Sequence, residues 1–271
     1  MMQDKKLEVK NLRLSIGNKQ IVDDVSFDLF SGHITALVGE SGSGKTLTGL
    51  SILRLFPNSV VCKNGYIIFE GRNLFDLSAE EMRKIRGNKI SMVFQEPFTA
   101  MNPVMRVSRQ ISETIEAHQK CSRGTVKKRL EELINMVCLS SDVLLKYPHE
   151  LSGGMRQRAM LAMMLACNPE ILILDEPTTA LDVSVQKEIL ELINTIRKQR
   201  NLSVLFITHD FSVVNMIADD VCVMKSGKIV EKGTKESVLN NPQHEYTQAL
   251  ISCVPKLGDT RKRLPVSRFT G

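Results

Sequence analysis

Ile34-Thr35-Ala36-Leu37-Val38-Gly39-Glu40-Ser41-Gly42-Ser43-Gly44-Lys45-Thr46 is the stretch on which the reading of this 271-residue chain turns. Ile34 to Val38 is a short apolar run suited to a buried strand, and Leu47 to Leu55 follows with helical spacing. Between them Gly39 to Thr46 fits G-x-x-x-x-G-K-[ST] in the strand-to-helix context that the motif requires. The glycines let backbone N–H groups turn inward around phosphate oxygens, and the helix N-terminus adds its positive dipole end. Gly39, Glu40, Ser41, Gly42, Ser43, Gly44, Lys45 and Thr46 are therefore the expected phosphate cradle. Lys45 reaches the terminal phosphates and the Thr46 hydroxyl ligates Mg²⁺. A Gly/Ser-rich turn with no ligand is the bland alternative, and the Lys-Thr pair with both flanks speaks against it.

A second apolar run, Ile171-Leu172-Ile173-Leu174, ends in Asp175-Glu176. Two carboxylates at the end of a buried strand are costly unless a cation or a proton-transfer task holds them. Asp175 is expected to orient the Mg²⁺ shell, and Glu176 to act as general base on the water that attacks the γ-phosphate. A third run, Val204 to Thr208, delivers His209 to the same sheet edge, where its imidazole can hydrogen-bond the γ-phosphate. Gln95 closes the run Ile90 to Phe94, and two roles stay open for it: Mg²⁺ ligand, or holder of the attacking water.

Leu151-Ser152-Gly153-Gly154-Met155-Arg156-Gln157 opens a second long helical pattern with another phosphate-binding N-terminus. One nucleotide has little need of both. Taken with Gly39 to Thr46, Gln95, Asp175-Glu176, Ala180-Leu181-Asp182 and His209, this stretch resembles the motif set of the ABC ATPases, in matching order. The resemblance implies that Ser152, Gly153 and Gly154 close over ATP held by a partner's phosphate loop. It thus implies a head-to-tail dimer with two ATP molecules at the interface and Asp182 linking the two sites. Three further stretches, Gln95 to Met105, Glu176 to Val183 and Pro242 to Leu250, are similar to the peptide and nickel importer branch. That branch implies two membrane permease subunits, a separate substrate-binding protein, and a second, related ATPase or a further copy of the same one. It also suggests that Phe98, Met101 and Met105 line the groove for a membrane-subunit helix, the alternative being ordinary core residues.

The chain departs from the family pattern in two respects. Leu14-Ser15-Ile16-Gly17 lacks the aromatic ring that often stacks on adenine, which leaves aliphatic packing from Ile16. No cysteine cluster is expected after Cys253-Val254-Pro255, and the tail resembles the nickel-type and short peptide-type members.

The expected fold is α/β: a P-loop NTPase core of the ABC type. Leu7 to Lys10, Val25 to Leu29 and Tyr66 to Phe69 give it an N-terminal antiparallel β layer. About seventy-five residues between Phe94 and Ile171 read as an inserted helical subdomain, with helices near 107–117, 125–137 and 155–166. The expected boundaries are an ATPase domain over 1–253, a helical part over about 96–168, and a tail over 254–271.

The longest uncharged apolar stretch, Ala159 to Cys167, is about half of the ~20 residues needed to span a bilayer. The N-terminus shows no apolar leader. The expected location is the cytoplasmic face of the membrane. Six cysteines show no metal-site spacing and are expected as reduced, mostly packed thiols. The net charge of +6 is spread along the chain among similar numbers of acids, so no nucleic-acid partner is expected. The rivals are a soluble ABC ATPase acting on nucleic acid or ribosomes, and a regulatory ATP-binding module with poor turnover. The first usually carries a duplicated unit or a long coiled coil, which this sequence lacks, and the presence of Glu176 and His209 weighs against the second.

Overall fold

The computed structural model describes residues 4–94, 101–179 and 181–252. Strands β1 (Lys5–Ile16), β2 (Lys19–Phe30), β4 (Val60–Phe69) and β5 (Arg72–Asn73) form an antiparallel sheet in the order β2-β1-β4-β5. Strands β3 (Ile34–Val38), β6 (Ile90–Val93), β7 (Ile171–Asp175), β8 (Ser203–Thr208), β9 (Asp220–Lys225) and β10 (Lys228–Thr234) form the second sheet, in the order β10-β9-β3-β8-β7-β6. It is parallel except for the β9–β10 hairpin. The α/β class and the antiparallel layer are as expected.

Two differences from expectation have local causes. β1 and β2 are twelve-residue strands, longer than the runs read from sequence. Their register shifts between Val9 and Leu12, with Asn11 and Asp24 at positive φ, so the period of two breaks midway. β9 and β10 lie beyond the four central strands expected. Val221-Cys222-Val223-Met224 is a fully buried run, and Ser226 (φ 46°) with Gly227 (φ 84°) makes a two-residue turn of the kind that suits hairpin twist.

The central sheet separates two cores by the alternation of its strands. Ile171, Ile173, Leu205 and Ile207 face the antiparallel layer, while Leu172, Leu174, Val204 and Phe206 face the helical segment. Helix α1 (Lys45–Ile52) packs on the first face so closely that a Cβ on Gly49 would sit 2.7 Å from Ile207 Cδ1. Helix α2 (Ala79–Ile85) starts at a capping box, Ser78 with Glu81. Helices α3 (Val107–His118), α4 (Arg123–Met136) and α5 (Gly153–Met164) build the other core together with α6 (Val183–Arg200). Helices α7 (Phe211–Ile217), α8 (Lys235–Asn240) and α9 (Glu245–Ser252) close the β9–β10 end of the sheet.

Met101 does not line a groove in this chain. It is 1% exposed and belongs to the core of the helical segment. Met105 is half-buried, Val104 beside it is 79% exposed, and Phe98 lies outside the described residues. So do the 253/254 boundary and the basic tail. Among the described cysteines all five are free thiols, with Cys167 and Cys222 buried and Cys138 exposed, so burial is less general than expected. No helix among the described residues is long and apolar enough to cross a membrane.

Candidate functional site

The site grows from three neighbouring strands, β3, β8 and β7, whose C-terminal ends meet at one edge of the sheet. β3 runs into the loop Gly39 to Thr46, β7 into Asp175-Glu176, and β8 into His209. Backbone geometry demands glycine at two points of the loop. At Gly39 a Cβ would lie 2.1 Å from Met224 O, and at Gly44 (φ 101°) it would lie 2.9 Å from Ile21 O. Gly44 is also the N-cap of α1, so the first-turn N–H groups of that helix are left without intrahelical acceptors. Lys45 is 4% exposed, and its Nζ donates to Gly39 O and Glu40 O at 2.8 Å each, which folds its charge across the mouth of the loop. Burial lowers its pKa, against the pull of Glu176, Asp175 and Glu40.

Asp175 is 1% exposed, and the Thr46 hydroxyl donates to its Oδ1 at 3.2 Å. Burial pushes its carboxyl up to about 6, with the Glu176 charge adding to the rise and Thr46 and Lys45 opposing it. A buried carboxylate beside a hydroxyl is an all-oxygen donor set, which suits a hard divalent cation such as Mg²⁺. Glu176 stands one residue further on, at φ 48°, with its N–H donating to Ile207 O at 2.9 Å. This left-handed backbone is strained for a non-glycine residue and turns the side chain away from the strand. His209 Nδ1 lies 3.0 Å from Glu176 Oε1, and the Thr179 hydroxyl donates to Oε2 at 3.1 Å. Burial alone would raise the Glu176 pKa; the His209 and Thr179 contacts and the Lys45 charge outweigh it and hold the carboxyl below its usual value. The group is thus an ionised carboxylate at neutral pH with both oxygens aimed by partners.

Ser152 caps α5, its hydroxyl accepting from Met155 N at 3.3 Å, and both Ser152 and Gly153 are exposed. The glycines are set by packing against the start of α6. A Cβ on Gly154 would meet Val185 Cγ1 at 2.7 Å, and one on Gly153 would meet Leu181 Cδ2 at 3.4 Å. Asp182 is exposed and caps α6, accepting from Val185 N at 2.9 Å and from the Ser184 hydroxyl at 2.7 Å. Ile16, at the end of β1, is 43% exposed. Gln95 lies outside the described residues. Thr179 was not singled out from the sequence, although it sits three residues after Glu176 in a Pro-Thr-Thr turn, the spacing at which a hydroxyl can reach back.

The family model described as "ABC transporter" matches residues 22–179. The oligopeptide transport ATP-binding protein OppD of Bacillus subtilis is 46% identical over 258 residues, covering 93% of this chain and 72% of that protein. The chain belongs to the ABC transporter ATP-binding family. Other models match parts of this ABC ATPase: "AAA domain, putative AbiEii toxin, Type IV TA system" over 145–215, and "Oligopeptide/dipeptide transporter, C-terminal region" over 230–268. The peptidoglycan transport ATP-binding protein YejF of Agrobacterium fabrum is 50% identical over 87% of the chain, which spans only 44% of that relative's length. Among solved structures, cbiO1 of Clostridium perfringens, part of the cbiONQ ABC transporter complex, superposes with a TM-score of 0.79 at 25% identity, covering 88% of this chain and 92% of that one. The ATP-binding cassette MJ0796, a dimer in a post-hydrolysis state bound to ADP and Pi, gives 0.74 at 26%, covering 84% and 98%.

The Asp175 environment makes a prediction for the nucleotide-free ABC ATPase. With its pKa raised from 3.8 to about 6, the native state binds this proton more tightly than the unfolded chain does. Native stability therefore falls as pH rises through that window, and the penalty persists above it. Asp175→Asn, which mimics the neutral form, is expected to stabilise the nucleotide-free protein by roughly 1–3 kcal/mol at pH 7.5. Thermal unfolding without nucleotide checks this, and an unchanged or lower Tm contradicts it.

Proposed function

We propose that this ABC ATPase is the energy-coupling subunit of an importer whose cargo is peptides. It binds Mg-ATP between two ATPase subunits and drives a membrane permease from the cytoplasmic face. The observation that carries the reading is the second exposed helix N-terminus, Ser152-Gly153-Gly154, next to the Asp182 cap in a chain that already has a phosphate loop. Such a surface has a use when another chain's triphosphate is laid on it. MJ0796 supports the pairing, being a dimer in a post-hydrolysis state bound to ADP and Pi. We assign peptides over nickel or other metal chelates because the C-terminal model and the OppD relative carry peptide names. The second ATPase is, in our reading, a related subunit and not a further copy of this one; a separate substrate-binding protein selects the cargo. Gln95 is the Mg²⁺ ligand or the holder of the attacking water. The Ile16 side chain packs on adenine.

In the reaction, Lys45 neutralises the terminal phosphates and the loop N–H groups of residues 41–46 bind their oxygens. Thr46 and Asp175 would hold Mg²⁺, which supplies charge neutralisation between the phosphates when bound. The ionised Glu176 accepts a proton from the attacking water, and Thr179 and His209 fix the direction of its oxygens. His209 is half exposed, so its other ring nitrogen is free to meet the γ-phosphate. ATP binding closes the pair of subunits and phosphate release reopens it.

The test is ATP turnover in proteoliposomes containing the chain, its partner ATPase and the permease, with and without peptide-loaded binding protein. Loaded binding protein is expected to raise turnover, and Ser152→Arg to lower it by about tenfold or more, because the larger cation blocks a helix N-terminus meant for an anion. Turnover indifferent both to the loaded binding protein and to Ser152→Arg contradicts the proposal.

A further inference from the structure

The phosphate loop is held from behind by residues that lie about two hundred positions further along the chain. Gly227 N–H, in the β9–β10 turn, donates to Ser43 O at 3.0 Å, and Met224 O fills the space where Gly39 lacks a Cβ. The third hold is a side chain. The Glu40 N–H donates to the Tyr246 hydroxyl at 3.3 Å.

Tyr246 is fully buried in the first turn of α9, in a cluster with Ala36, Val38, Val221 and Val223, and Lys225 Nζ lies 4.8 Å from its ring centroid. The start of α9 is itself fixed. Glu231 on β10 accepts from Gln243 N at 2.7 Å and from His244 N at 3.1 Å, and His244 Nδ1 accepts from Tyr246 N at 3.0 Å. A tyrosine so deeply packed could fill this space as phenylalanine; the hydroxyl is the part that reaches the loop. Its partner, the N–H of Glu40, is thereby held at the corner where the loop leaves β3.

We propose that Tyr246 is a positioning residue for nucleotide binding, which orients the phosphate loop by holding Glu40 from the C-terminal segment. The inference rests on the reading of Gly39 to Thr46 as the ATP phosphate site. It assigns to the segment matched by the oligopeptide/dipeptide C-terminal model a direct hold on the nucleotide loop of the same chain. Any partner that shifts α9 thereby changes ATP affinity.

The test is Tyr246→Phe, which keeps the ring and removes the hydroxyl, compared with wild type and Lys45→Met. Three quantities are read: the ATP dissociation constant by equilibrium titration, KM and kcat of hydrolysis, and Tm without nucleotide. The expected result is ATP binding weaker by about fivefold, as for the loss of one neutral hydrogen bond, with KM raised by the same factor. The kcat is expected within twofold of wild type and the Tm lowered by no more than about 4 °C. Unaltered ATP binding overturns the inference, as does a loss of binding that only follows a larger fall in Tm, or a fall in kcat at unchanged KM. If Lys45→Met binds ATP as wild type does, the reading of the phosphate loop fails instead, and the two failures are distinguished.

Discussion

Glu176→Gln is expected to slow ATP hydrolysis by about 10³-fold while leaving ATP binding intact, the range lost when a positioned general base is removed. The substitution is isosteric and the carboxamide retains an oxygen and a nitrogen for the partners at Thr179 and His209, so the geometry survives. The strained backbone at φ 48° is held by Glu176 N–H to Ile207 O, which the side chain does not affect. What disappears is a carboxylate kept ionised at neutral pH, against burial, by His209, Thr179 and Lys45. Single-turnover hydrolysis with saturating ATP measures the chemical step alone. A loss below about tenfold removes Glu176 from the role of base.

Lys45→Met is the second large effect. Two hydrogen bonds to Gly39 O and Glu40 O at 2.8 Å keep the ammonium over the loop, and burial makes its charge costly while no phosphate is near. With a triphosphate present the same burial strengthens the attraction, because screening by water is reduced. Charge-assisted bonds contribute about 1.5–3 kcal/mol each, so ATP affinity is expected to fall by about 100-fold and turnover to vanish. The stabilisation given by ATP scales with the logarithm of 1 + [ATP]/Kd, so a Kd weaker by about 100-fold removes most of the thermal upshift at concentrations that just saturate the wild type. A Lys45→Met protein that still gains the full upshift contradicts the role.

The parts of the site that were legible in the sequence are those made by neighbours in the chain. The phosphate loop needs only a strand, eight residues and a helix, and Asp175-Glu176 follows its own strand directly. The helix opened by Ser152-Gly153-Gly154 was readable for the same reason. The parts that were not legible depend on residues far apart. Tyr246 meets Glu40 across 206 positions, and no local period announces that contact. For Met101 the resemblance left a groove-lining residue and an ordinary core residue both open, and burial in the helical segment decides for the core, since an apolar side chain next to an available core is drawn into it. The β9–β10 hairpin carried a fair signal, an apolar run followed by Ser-Gly, and was missed beside the stronger runs that end in chemistry.

The central claim is that Ser152, Gly153 and Gly154 serve a nucleotide held by another chain. It is tested most directly by sedimentation of the Glu176→Gln protein, alone and mixed with the proposed partner ATPase subunit, with and without ATP, beside the same protein carrying Ser152→Arg. A stable pair of ATPase subunits that forms only with ATP, and dissociates when Ser152→Arg is added, is the predicted result. A pair that forms equally well with Ser152→Arg, or subunits that stay separate at saturating ATP, would contradict it.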